Sequence, residues 1–168
     1  MLCDGIERRR DIEMGIFRST AGTLLALALA VAAAHAGAAE PVGPKLPPKV
    51  RGLLLQEMNA VLAASHEIQD AIIQGQDGVV AEKAQAIYDS FILDQQMTDE
   101  DRQALRAAVP EAFVKRDQAF HELTGRLAQA ARDGDGARQR ELFGDMIEAC
   151  AACHARYATN RFPAFTAE

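Results

Sequence analysis

Apolar residues recur every three or four positions through four long stretches of this chain, which is the spacing of one buried helix face. The predicted helices cover residues 48–74, 78–94, 110–132 and about 136–160. Gly75 ends the first helix, and an Asp-Gly-Asp-Gly turn at 133–136 separates the last two, with Asp135 as the cap of the fourth. No stretch alternates apolar and polar residues as a strand does. The pattern therefore predicts an all-α protein.

The connections between these helices are short, which predicts an antiparallel four-helix bundle. On the first helix the expected inward residues are Val50, Leu54, Met58, Val61, Leu62, Ser65, Ile68 and Ile72. Between the second and third helices, Thr98 and the three acidic residues after it predict a short extra helix, which Pro110 interrupts. Ahead of the bundle, four prolines within residues 41–48 predict an extended segment.

The fourth helix carries the sequence Cys150-Ala151-Ala152-Cys153-His154 near its end. Cys-x-x-Cys-His is the attachment pattern of haem c, in which two thiols bond to the porphyrin and the adjacent imidazole binds the iron. The motif shares the apolar face of its helix with Phe143, Met146, Ile147 and Tyr157. We therefore expect a four-helix bundle with one covalent haem c, attached through Cys150 and Cys153, whose iron His154 binds.

Two other uses of this cysteine pair fit the sequence less well. A redox-active Cys-x-x-Cys pair is expected after a strand, at the start of a helix, whereas this pair lies near the end of a long helix. A zinc site would need two more ligands at suitable spacing, and His66 and His121 stand alone on other segments.

The first 39 residues have the composition of an export signal. Arg18 precedes a short apolar run at 21–34, and small residues follow before Glu40, so we expect cleavage near residue 38 or 39. Met14 would be a more natural start than Met1. The alternative is an uncleaved amphipathic anchor. The prediction gives a domain at 40–168 that is periplasmic and is not an integral membrane protein after cleavage.

Charge and cysteine content narrow the function further. Because the first 39 residues are neutral overall, the formal net charge of −6 lies on the remaining chain. A nucleic-acid-binding protein would need a basic face, whereas an acidic surface favours a partner with a basic patch.

Cleavage of the predicted export signal would remove Cys3 and leave only the two thiols of the motif. The sequence shows no catalytic set, so we expect no enzyme; the expected partners are redox proteins, with a homodimer as one option for self-association.

The motif near the C-terminus, a Tyr three residues after its His, and the predicted bundle together resemble the class II cytochromes c. This family comprises cytochrome c′ and low-spin relatives similar to cytochrome c-556. The resemblance implies haem on the last helix, His154 as the proximal ligand, Tyr157 beside the haem, and a distal iron position that faces the first helix. One position departs from the family, because Ala158 stands where a basic residue often follows the Tyr.

In the low-spin members of that family a Met occupies the distal position, whereas cytochrome c′ presents an apolar residue that leaves the iron five-coordinate. Met58 is the candidate sixth ligand here, and Leu55 would take the position if the helix were shifted by almost one turn. With Met58 bound, the protein would be a one-electron carrier. The alternative is a protein that binds NO or CO at a vacant distal site lined by Leu54, Leu55 and Met58. A haem-bearing accessory subunit is a third interpretation.

Overall fold

The structure is a computed structural model that describes residues 39–166. Within these residues it contains helices and no strand, which confirms the all-α class. The helices are α1 (Pro48–Gln74), α2 (Asp77–Tyr88), α3 (Leu93–Gln96), α4 (Asp99–Ala108), α5 (Glu111–Arg132) and α6 (Gly136–Tyr157), with 3₁₀ turns at Gly43–Lys45 and Pro163–Thr166. The predicted export signal, the start at Met14 and Cys3 lie outside the described residues.

Local signals at the helix ends explain most of these bounds. Gly75 takes a left-handed conformation, with φ of 69°, and so ends α1. The Thr98 side chain accepts a hydrogen bond from the Asp101 backbone N–H, and the Asp101 carboxylate accepts one from the Thr98 N–H, which forms a capping box at α4. The Asp135 carboxylate accepts a hydrogen bond of 2.9 Å from the Arg138 N–H at the start of α6. The predicted caps at these positions are confirmed.

The four longer helices that the sequence predicts form the bundle. Gly75 and Gln76 alone separate α1 from α2, and residues 133–135 separate α5 from α6, so each pair is an antiparallel hairpin. Helix α2 packs along α5, with Gln85 bonded to Arg132. Helices α1 and α6, by contrast, make few contacts with each other. None of the helices in residues 39–166 combines the length and apolar character that crossing a bilayer requires.

The interior of the bundle, which we call the main core, is closed to solvent. Its buried members are Val61, Ala64, Ile68, Ala71, Val80, Ala84, Ile87, Leu123, Leu127, Ala128, Ala130, Ala131, Leu142 and Met146. A second cluster lies at the end of the bundle that carries the cysteine motif, and its buried members are Val42, Leu46, Val50, Val109 and Tyr157. Cys153 and Leu54 pack against this second cluster, so the end of α6 and the start of α1 meet there.

The second predicted helix is shorter than expected, because α2 ends at Tyr88 and not near Asp94. Ser90 has a positive φ of 59°, which breaks the helix. The backbone N–H groups of the next three residues donate to the Glu57 carboxylate at 3.0, 2.6 and 3.0 Å, at Phe91, Ile92 and Leu93. Glu57 is buried, and this side chain of α1 therefore fixes the chain where α2 stops and α3 begins.

The inward face of α1 also differs from the prediction. The residues that face the interior are Val50, Leu53, Glu57, Val61, Ala64, Ser65, Ile68 and Ala71. Leu54, Met58 and Leu62 form a second apolar stripe beside this face, since neighbouring positions differ by about 100° around a helix. Met58 is 36% exposed and Leu62 57% exposed, so the expectation that both are buried by the polypeptide was wrong.

Two predictions about prolines need correction. Pro110 is the extended residue before α5, with ψ of 153°, and the helix begins at Glu111. The proline-rich segment ahead of α1 is not wholly extended, because it contains the turn at Gly43–Lys45. This segment docks on the end of α6: the Glu40 N–H donates to the Arg156 carbonyl at 2.7 Å, and the Val42 N–H donates to the Tyr157 carbonyl at 3.0 Å.

Candidate functional site

The cysteine motif occupies the last two turns of α6, where Cys150, Cys153 and His154 are all half-buried. Both thiols are free. Cys150 and His154 are one turn apart, and Cys153 points toward the cluster that contains Tyr157. One helix therefore presents two thiols and an imidazole beside one another.

Burial sets the protonation of these groups. It raises the pKa of the Cys153 thiol to about 11, with a smaller contribution from the nearby Asp117 carboxylate, and it also raises the pKa of Cys150. Reactive thiols of redox-active Cys-x-x-Cys pairs have lowered pKa values, so this environment does not favour that alternative. Burial lowers the pKa of His154, and the positive charge of Arg161 lowers it further. A neutral imidazole, the form that binds metals, is thereby favoured.

A face of partly exposed apolar side chains surrounds the motif. Ile147, one turn before Cys150 on α6, is 49% exposed, and Met58 and Leu62 of the second stripe are also exposed, whereas Leu54 is half-buried. We call this surface the motif face; its members are Leu54, Met58 and Leu62 of α1 and Ile147, Cys150 and His154 of α6. Leu54 and Cys153 pack against the same cluster, which places the stripe of α1 near the motif of α6. The motif face therefore lies along two helices that make few contacts with each other.

These residues fit a covalently attached haem. The two thiols lie about one helical turn apart, the imidazole follows directly, and Met58, Leu62 and Ile147 remain partly exposed. A porphyrin is a large apolar group, so it would remove these side chains from water. The half-buried thiols and imidazole are the donor set that haem c requires.

The other predicted site residues lie in different surroundings. Tyr157 is buried and packs edge-on against Phe113, with ring centroids 5.3 Å apart. His66 is exposed on α1. His121 lies between α2 and α5, where its Nδ1 atom is 3.1 Å from the Tyr88 carbonyl oxygen. Across residues 39–166, no group of three or more His, Cys, Asp or Glu side chains is placed to hold a metal ion, which gives no support to a zinc site.

A scan against family models matches residues 50–158 to the family described as cytochrome c′. This range spans well over half of the chain, from the start of α1 to the residue after α6. The chain belongs to the cytochrome c′ family. The resemblance to the class II cytochromes c is therefore confirmed. Searches of the curated proteins and of the solved structures gave no match.

Membership of the cytochrome c′ family identifies the cofactor. The chain is a haem c-binding cytochrome, and Cys150 and Cys153 are the attachment positions. The predicted cofactor is thus confirmed, together with the four-helix bundle that holds it.

Two residues of this cytochrome were missed by the sequence analysis. Glu57 lies at helical spacing within the row Leu53, Glu57, Val61, and an acidic residue inside such an apolar row is a signal of a buried carboxylate. Phe162 lies beyond α6, and its ring stacks on the His154 imidazole with centroids 4.6 Å apart and an interplanar angle of 17°. No periodicity marks Phe162, because it lies outside the helices.

Proposed function

We propose that this chain is an exported monohaem cytochrome that carries one electron at a time, with His154 and Met58 as the two axial ligands of its iron. The observation that supports the proposal is the partly exposed thioether of Met58, one turn after Leu54, which packs against the same cluster as Cys153 of the haem motif. When bound, haem supplies a metal centre that accepts and releases one electron.

His154 is suited to be the proximal ligand. It follows Cys153 directly, so attachment through the thiols would bring the imidazole to the iron. Burial and the charge of Arg161 keep its pKa low, which favours the neutral ring at neutral pH. The polypeptide therefore offers a nitrogen that needs no deprotonation before it binds the metal.

Met58 is suited to be the distal ligand. A Met that merely packs is normally enclosed by its neighbours, but the Met58 side chain is 36% exposed beside a closed main core. It lies one turn after Leu54, which packs against the same cluster as Cys153. Leu54, Leu55 and Leu62 lie on the same side of α1 but carry no donor atom, whereas the Met58 sulfur can bind iron. A thioether ligand stabilises the reduced iron and raises the reduction potential.

The charge of the chain supports a protein partner for electron exchange. A formal net charge of −6 favours association with a redox protein that presents a basic patch. The export signal predicted at residues 1–39 supports a periplasmic location, where haem c proteins and their partners would meet. We propose a carrier rather than an enzyme, because haem itself accounts for one-electron chemistry and the sequence carries no recognisable catalytic set.

The second candidate function is the binding of NO or CO at an open distal position. The observation that favours it is the apolar character of this part of α1, where Leu54 and Leu55 lie one turn before Met58. If the thioether does not bind the iron, these side chains form an apolar pocket for a small uncharged ligand.

Exposure of the reduced protein to CO separates the two functions. We expect wild-type protein to undergo reversible one-electron reduction and to bind CO slowly or not at all, because Met58 occupies the distal position. Met58→Ala should bind CO readily, while Leu55→Ala should behave as wild type. Rapid CO binding by the wild type, unchanged in Met58→Ala, would overturn the carrier proposal and support gas binding.

A further inference from the structure

Phe162 covers one face of the motif histidine. Its ring is nearly parallel to the His154 imidazole, with an interplanar angle of 17° and a centroid separation of 4.6 Å. This is the geometry of a stacked pair, in which both rings gain from contact across their faces. The outer part of Phe162 is exposed, so the side chain is not held there by burial in the main core. The stack is therefore a specific contact between the tail and the motif.

The backbone after α6 places Phe162 in this position. The Arg161 and Phe162 N–H groups both donate to the Ala158 carbonyl, at 2.8 and 3.0 Å, which folds the tail back along the last turn of α6. Thr159 is buried within this turn. Pro163 follows Phe162 and begins the final 3₁₀ turn at Pro163–Thr166. A short, hydrogen-bonded turn thus carries the aromatic ring to the imidazole.

The imidazole has no other directional contact in the described part of the chain. Within residues 39–166 its ring nitrogens make no hydrogen bond, whereas a metal-binding His usually donates its second N–H to a partner that fixes its orientation. The His154 ring could otherwise turn about its Cβ–Cγ bond. The stack with Phe162 restricts this rotation, because turning the ring would separate the two faces.

We propose that Phe162 is a positioning residue that holds the His154 imidazole in one orientation toward a bound haem. This inference rests on the proposed function, because it requires His154 to bind the iron. It does not depend on Met58, since the stack involves only the end of α6 and the tail. In a carrier, a single ligand orientation gives the protein one well-defined electronic state at the iron.

The test uses purified haem-containing protein in the ferric state with cyanide added, which makes the iron low-spin whether or not Met58 binds. The haem methyl signals in proton NMR report the orientation of the proximal imidazole. The variants are Phe162→Leu, which removes the aromatic face, Phe162→Tyr, which keeps it, and Phe165→Leu. Phe165 is a matched control, because it is an exposed Phe of the same tail and has no ring contact among the described residues.

We expect Phe162→Leu to show a second set of methyl signals, with the minor orientation raised roughly two- to tenfold, which is the range one aromatic pair represents. Phe162→Tyr and Phe165→Leu should match the wild type. Methyl signals in Phe162→Leu identical to those of the wild type would overturn the inference, while leaving the proposed function intact. If His154→Ala shows the same haem methyl signals as the wild type, His154 is not the proximal ligand. That result would overturn the proposed ligand and this inference together.

Discussion

The main core and the motif face differ in how far the polypeptide buries their apolar side chains. In the main core, Ile68, Leu127 and Leu142 are at most 1% exposed, and four helices enclose them. On the motif face, Met58 and Ile147 are 36% and 49% exposed, although they lie on two of the same helices. Side chains alone close the main core to solvent, whereas the motif face remains partly exposed.

This difference shows how one bundle combines stability with a cofactor site. Three of the four helix interfaces are packed, and the remaining pair, α1 and α6, carries the motif face. Haem bound over this face would contribute to stability by removing apolar surface from water.

The double variant Cys150→Ala, Cys153→Ala should lose all covalently attached haem. We expect the haem-free chain to melt without the cooperative transition of the wild type, because the motif face is left exposed to water. Haem content after acid extraction and circular dichroism during heating measure the two effects. Ala152→Ser, within the same motif but exposed, should keep both haem and melting. A native-like cooperative melt of the double variant would contradict the cofactor's structural role.

Leu127→Ala should destabilise the haem protein by about 2–5 kcal/mol, because it opens a cavity in the closed main core. Ile73→Ala on α1 is the control, since Ile73 is mostly exposed and should change stability by about 0.5 kcal/mol or less. Chemical denaturation measures both. Equal losses in the two variants would show that the main core is not the closed interior described here.

Glu57→Gln should cost about 1–3 kcal/mol of stability, because an amide has one acceptor oxygen where the carboxylate receives three backbone N–H groups. We also expect faster hydrogen exchange at Phe91, Ile92 and Leu93, where those donors lose their charged acceptor. Glu67→Gln provides the exposed control on the same helix. Unchanged exchange at the three amides would contradict the assigned role of Glu57.

Asp101→Asn should have the smallest effect, which depends on pH. Hydrogen bonding to Lys49, and then to the Thr98 backbone, lowers the pKa of Asp101. A lowered folded-state pKa contributes stability above the unfolded value of about 4, and that stability is lost as pH falls through the folded value. The variant should therefore lose less stability than the wild type on acidification. Melting temperatures from neutral to acidic pH test this, with Glu148→Gln as an exposed control.

Sequence reasoning recovered the features that depend on local signals. The ends of α1 and α6 follow from Gly75 and Asp135, and the motif at 150–154 identifies the cofactor by its spacing alone. The early end of α2 was missed because its cause is a carboxylate 34 residues away in sequence, at Glu57. The predicted inward face also left out Leu53 and Glu57 and so merged the two stripes of α1 into one.

The stack of Phe162 on His154 was also missed by sequence reasoning. It depends on a turn formed after α6 by hydrogen bonds to Ala158, and no helical periodicity extends to that turn. Residues that act through long-range contacts or irregular turns can be identified only from the folded structure. Residues of a motif with fixed spacing, such as the cysteine motif, can be identified from the sequence.

The most direct test of the central proposal is an optical spectrum of the ferric and ferrous protein, recorded for the wild type, Met58→Ala and Leu55→Ala. We predict a low-spin wild-type spectrum with the weak near-infrared band of a Met–iron bond, lost in Met58→Ala and kept in Leu55→Ala. A high-spin spectrum that Met58→Ala leaves unchanged would contradict ligation across the motif face.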